Sequence, residues 1–122
     1  MPINKLYLAN GLTVTSAGAQ AGVAVGTITG DYTVKLWITA LSAFARIAIE
    51  EATSNAFSPA EQLAVWNFSP GFNNPEGVMV SFRKREGAGT DIVGEAGTFV
   101  RVNVQELNAY LPSATFTCWI EY

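Results

Sequence analysis

Apolar residues recur at every second position through most of this chain, and that period restricts the fold before any other feature is considered. Tyr32, Val34, Leu36 and Ile38 alternate with Thr33, Lys35, Trp37 and Thr39. Ala45, Ile47 and Ile49 alternate with Arg46, Ala48 and Glu50, and Val78, Val80 and Phe82 with Met79, Ser81 and Arg83. The same holds for Leu12 and Val14, for Val100, Val102 and Val104, and for Phe116, Cys118 and Ile120. Side chains alternate across a strand, so each run has one apolar and one mostly polar face, the pattern of antiparallel sheets with one wet side. Strands are expected at about 4–9, 12–16, 22–29, 32–40, 44–51, 62–68, 77–85, 98–106 and 114–121.

Turn residues separate the runs: Ala9-Asn10-Gly11, Thr29-Gly30-Asp31, Asn73-Asn74-Pro75-Glu76-Gly77, Glu86-Gly87-Ala88-Gly89-Thr90 and Leu111-Pro112-Ser113. Glycine supplies positive φ and proline presets a corner. Eight or nine short strands at this spacing predict an all-β chain, a single-domain antiparallel two-sheet β-sandwich of jelly-roll-like form covering residues 1–122. Two segments compete with that reading. Leu41, Phe44, Ala45, Ala48 and Ala52 also fit a helical face, but β-branched Ile47 and Ile49 and unbroken alternation favour a strand. Ser58-Pro59-Ala60-Glu61 fits a single helical turn, with Ser58 as N-cap and Pro59 in the first position. Arg46-Ile-Ala-Ile-Glu-Glu51 is echoed by Arg101-Val-Asn-Val-Gln-Glu106, read either as two strands of similar composition or as pseudo-symmetric strands in facing sheets.

Composition narrows the chemistry. The chain has no histidine, which removes imidazole bases, Ser-His-Asp and Cys-His nucleophiles and histidine metal sites together. Cys118 is the one cysteine, so no intrachain disulfide forms, and it is expected to pack as a small apolar side chain. A net charge of −3 argues against nucleic acid as a partner. No apolar run approaches the roughly 20 residues that span a bilayer, and the opening Met1-Pro-Ile-Asn-Lys5 does not start a signal peptide, so no membrane partner is expected.

The remaining candidates for chemistry are carboxylates. Glu50 and Glu51 are adjacent and point to opposite faces of a strand; Glu106 or Glu121 could approach Glu50 across strands. Asp31 and Asp91 lie in glycine-bearing turns without calcium-loop spacing. No catalytic residues, cofactor or metal are assigned, and no enzymatic activity is expected.

Interaction residues are easier to name. Trp37 and Trp119 fall on nominally polar strand faces, where they serve as interface anchors, core packing or a sugar-stacking surface. Arg83-Lys84-Arg85 is the one basic cluster, with Arg83 and Arg85 on one face and Lys84 on the other. It reads as a solvated strand end that discourages edge pairing, or as a dock for an acidic protein surface. Charged residues are only 14% of the chain against 49% hydrophobic, where soluble proteins average roughly 25% charged. Charge depletion of that kind is typical of interface cores, so part of the outer surface is expected to be covered by other subunits.

The stretch Asp31-Tyr-Thr-Val-Lys-Leu-Trp-Ile-Thr-Ala-Leu-Ser-Ala-Phe-Ala-Arg-Ile-Ala-Ile-Glu-Glu51 is followed by Phe57-Ser-Pro-Ala-Glu-Gln62, Gly97-Thr-Phe-Val-Arg-Val-Asn-Val104 and a closing Ala114–Tyr122 strand. Over residues 31–122 this resembles the small β-sandwich virion proteins of tailed bacteriophages, of the decoration (cement) and head-fibre type. The resemblance is one of strand patterning and carries no diagnostic site residues. It implies a non-enzymatic protein on the outer surface of the virion head, made in the host cytoplasm, bound to the major capsid protein and to its own copies, with a trimer favoured. Residues 1–30 fit the pattern least and would suit an extended N-terminal arm. In that role Trp37, Trp119 and Tyr122 are the expected aromatic anchors, and Arg83 and Arg85 the charged contacts. A carbohydrate- or receptor-binding sandwich using Trp37, Trp66 or Trp119, and a tail or baseplate component, remain as alternatives.

Overall fold

Two antiparallel sheets take up the alternating runs. The computed structural model describes residues 4–25, 28, 31–84 and 99–122. Nine strands lie among them: β1 (Lys5–Val14), β2 (Gly18–Ala19), β3 (Val23–Ala24), β4 (Tyr32–Leu41), β5 (Phe44–Ala52), β6 (Glu61–Phe68), β7 (Phe72–Lys84), β8 (Phe99–Asn108) and β9 (Ala114–Glu121). The first sheet has the order β1-β9-β4-β7 and the second β2-β8-β5-β6, with β3 also on β8. Gly18 pairs Val104 and Val23 pairs Val100, registers only one residue apart, so β2 and β3 act as two halves of one interrupted strand. Counted that way, eight strands fill two four-strand layers in jelly-roll order.

The core lies between the layers. Val34, Leu36, Ile38, Phe116, Cys118 and Ile120 from the first sheet meet Ile47, Ile49, Val100, Val102 and Val104 from the second, all at 1% exposure or less. These are the apolar members of the alternating runs. Residues 44–52 form a strand, paired with β6 on one side and β8 on the other, and the helical alternative is lost. Cys118 packs as a small apolar side chain, and burial pushes its thiol up to about 12.

Two expected breaks and one expected helical turn differ. Ala9-Asn10-Gly11 does not separate two strands: β1 runs through it with register shifts against β9, and Gly11, at φ +59°, donates its N–H to Thr117 Oγ1 at 2.9 Å. A left-handed glycine bends the ladder here without ending it. Asn73–Gly77 likewise lies inside β7, where residues 74–77 loop out between the pairs Asn73–Ala40 and Val78–Ile38. That excursion satisfies its own polar groups, with Glu76 N–H donating to Asn74 Oδ1 and Trp37 Nε1–H to Glu76 O. Ser58–Glu61 makes no helical turn. Phe57, at φ +51°, closes a turn onto Ser54 O one step earlier, Ser58–Pro59 is a cis bend, and Glu61 already starts β6. The turns around Gly30 and Gly87 fall outside the described residues, whereas Leu111-Pro112-Ser113 does join β8 to β9.

The echoed hexapeptides are not in facing sheets. They are the adjacent antiparallel strands β5 and β8, with Arg46 opposite Glu106 and Glu50 opposite Arg101. Antiparallel pairing of two Arg-first, Glu-last segments sets each arginine against the other's glutamate. A register shift between Arg46 and Ile47 leaves Gln105 without a register partner, so Arg101 faces Glu50 and the terminal Glu51 falls opposite Val100.

Candidate interaction surface

The outer face of the first sheet carries the aromatic residues singled out by their off-pattern positions. Odd-numbered residues of β9, and of β4 up to its bulge after Ile38, point outward there, and the register sets Lys35 beside Trp119 beside Tyr7, and Met79 beside Trp37 beside Thr117. Trp119 is only 8% exposed although it faces away from the core. The Tyr7 ring lies 6.4 Å from it, and Lys5 Nζ sits 5.2 Å over its indole. Its Nε1–H donates to Glu121 Oε2 at 2.8 Å, and Lys35 Nζ holds Glu121 Oε1 at 3.1 Å. These hydrogen bonds, with that from Trp119 the strongest, hold the Glu121 carboxyl below the usual carboxylate range. Trp37 is half-buried, its N–H already spent on Glu76 O.

Trp37 and Trp119 therefore share a face, but both indole N–H groups are occupied and Trp119 is roofed over. Trp66 is in the other sheet, packed against the core from β6 opposite Ile47. The three tryptophans form no common platform. Tyr122 lies at the same edge as Lys5, its backbone paired reciprocally with Asn4, and its side chain is exposed. Arg83 also points outward and pairs with Asp31 at 3.0 Å; Arg85 lies outside the described residues.

The second sheet's outer face carries a polar lattice across β5 and β8, with Val65 exposed on β6 beside it. Arg46 holds Glu106 at 2.8 Å and Asn67 at 3.0 Å, while Glu50 accepts from Arg101 at 2.7 Å and Asn103 at 3.1 Å. Gln105 reaches over to Gln62 at 2.8 Å, and Phe57 stacks on the Arg101 guanidinium at 4.2 Å. Glu50 and Glu51 diverge as expected, and Glu50 meets Arg101 and not a second carboxylate.

Glu51 turns inward, onto the face opposite Glu50 that it shares with Ile47 and Ile49. It is fully buried, accepts from Tyr32 Oη at 2.9 Å and lies 3.8 Å from Lys84 Nζ, itself 3% exposed. Tyr32 and Lys84 are register partners on the first sheet, so the cluster ties the two layers together. Burial first, then the charge and hydrogen bond of Glu51, drive the Tyr32 hydroxyl far above its ordinary pKa. Glu51 and its register partner Glu61 also line a recess of about 190 Å³. That is smaller than the roughly 300 Å³ at which ligand pockets begin. The carboxyl there is committed to Tyr32 and Lys84, an arrangement that braces the sandwich. Among the described residues, no group of three or more His, Cys, Asp or Glu is placed to hold a metal ion, and no helix is long and apolar enough to cross a membrane.

Single exposed apolar side chains dot both outer faces (Tyr7, Met79 and Tyr122 on the first sheet, Val65 on the second), but they gather around a hollow only at the margin where β6 and β7 are the outermost strands of their sheets. Val78 points into the sandwich yet is 40% exposed, and Val80 and Phe82 are only half-buried. Phe68, Pro70, Phe72, Val78 and Val80 line a hollow of about 520 Å³ there. At the same end the β8–β9 loop presents Tyr110 at 97% and Leu111 at 76% exposure. The alternation does not single these two out because they fall in a turn; a pair of large apolar residues running into Pro112-Ser113 is the one signal the sequence offers for them. Comparison with known proteins finds no family model that matches this chain and no matching curated protein.

Proposed function

We propose that this chain is a non-enzymatic structural protein that assembles with its own copies and covers the major capsid protein lattice of a bacteriophage head as a decoration or cement protein. The observation that carries the assembly part is the uncovered apolar surface at one end of the sandwich: Tyr110, Leu111 and the Val78 margin. A monomer gains nothing by exposing two adjacent large apolar side chains at 97% and 76% beside an apolar hollow, whereas the exposed apolar residues of its outer faces are single and lie among ion pairs and hydrogen bonds. The jelly-roll layers and the strand patterning over residues 31–122 support the virion part. Each contact removes apolar area from water at roughly 25 cal/mol per Å², and repetition over a closed shell multiplies weak contacts into avid binding.

On this reading the roofed face around Trp119 is a rigid plate. Arg83, the more exposed partner of its ion pair with Asp31, is the charged contact. The sugar-binding alternative loses support because the Trp119 ring is covered by Lys5 and Tyr7 and Trp66 lies in the other sheet. Electron microscopy of heads assembled with and without this chain tests the proposal. Regularly spaced density on the outer head surface, present only with the chain, is the expected result; bare heads in both preparations would refute it.

A further inference from the structure

The exposed loop tip and the apolar hollow fit one another in chemistry, and the geometry points to a knob-and-hole contact in which Tyr110 and Leu111 of one copy seat in the β6–β7 hollow of the next. This rests on the assembly reading above and deepens it by naming the contact.

The loop is held at its neck. Ser42 N–H donates to Ser113 O and Ser113 N–H to Ser42 Oγ, both at 2.9 Å, so the tip projects from a fixed base. The hollow is anchored to the same turn, because a side chain at Gly71 would collide with Ser42 O and Leu41 O. Both features are thus fixed to Ser42, yet the chain's own tip does not enter its own hollow, since Tyr110 remains almost fully exposed. The hollow's walls are apolar, with Asn67, Ser69 and Asn74 supplying polar groups that a tyrosine hydroxyl can meet.

Area decides how many such contacts are needed. A buried aromatic covers about 150–250 Å², so the two-residue knob removes on the order of 300 Å², and about twice that counting both partners. A stable interface buries about 1,200–2,000 Å². One contact falls short, whereas two reciprocal contacts between the same pair of copies, each giving its knob and receiving the other's, reach the lower bound. A knob meeting a hollow elsewhere on the molecule forms open chains unless the symmetry closes.

Cysteine pairing tests this directly. Native Cys118 is fully buried and does not compete. A mixture of Tyr110→Cys and Val78→Cys chains under mild oxidation is expected to give a crosslinked pair, and neither variant alone should. In parallel, Tyr110→Ser/Leu111→Ser should keep the wild-type melting temperature and weaken self-association at least ~10-fold, as truncating interface hot spots does. If the wild-type chain associates but the mixture does not crosslink and the double serine variant associates normally, the knob-and-hole contact is wrong and the assembly reading survives. A wild-type chain that never associates overturns both.

Discussion

Ile38 and Val78 are register partners, as are Leu36 and Val80, and all four point into the sandwich. Their surroundings differ. Ile38 and Leu36, in a strand flanked on both sides, are completely buried, whereas Val78 is 40% exposed and Val80 half-buried in the outermost strand. Alternation specifies which face a residue belongs to; its strand's place in the sheet specifies whether that face is covered. At its far end the β7 margin is closed by Lys84 and Glu51, and at its near end by nothing belonging to the same copy among the described residues. The contrast locates the apolar surface that the proposed assembly would cover.

Substitutions can sharpen or break that contrast. The largest effect is expected at the closed end. Glu51→Ala removes the buried carboxylate that Tyr32 and Lys84 face, and loss of one member of a buried ion pair costs about 3–5 kcal/mol. Urea unfolding would measure it, and a change below about 1 kcal/mol would mean that water reaches the site.

Next, Ile38→Ala should cost about 2–5 kcal/mol as a core truncation, while Val78→Ala in the dilute monomer should cost less than about 1 kcal/mol. Equal losses at these paired positions would erase the distinction between centre and margin. Gly77→Ala is expected to cost more than about 1 kcal/mol, because Gly77 adopts φ +62° and a Cβ would strike Ile38 O. Trp37 fluorescence should report the loss of the excursion that its N–H holds.

The smallest effect concerns Glu121, whose depressed pKa gives a definite sign. Its contribution is complete above the unfolded value of about 4.3 and disappears as pH falls through the lower folded value. Wild-type and Glu121→Gln stabilities should differ by no more than about 1 kcal/mol at neutral pH and converge in acid. A gap that widened on acidification would contradict the assignment.

The strands and their faces were legible in the sequence because a sustained two-residue period matches the pleat of a strand and not the turn of a helix. Strand order was not, since nothing in Arg46–Glu51 and Arg101–Glu106 says whether they pair side by side or face to face. Glycine misled at Gly11 and Gly77, where positive φ bends a strand that hydrogen bonds to Thr117 and from Trp37 then carry through. Off-pattern tryptophans correctly marked the outer face, but their neighbours Lys5, Tyr7 and Glu121 decide exposure, and those contacts arise only in the sheet. The buried Glu51–Lys84–Tyr32 cluster was hidden because each member reads alone as an ordinary strand residue. Tyr110 and Leu111 were hidden because turn residues carry no periodicity.

Sedimentation velocity of the intact chain, from sub-micromolar concentration upward, tests the central claim of assembly most directly. The expected result is a concentration-dependent shift to a closed multiple of the 13.0 kDa chain, moved to at least ~10-fold higher concentration by Tyr110→Ser/Leu111→Ser. A single 13.0 kDa species at every concentration would contradict it.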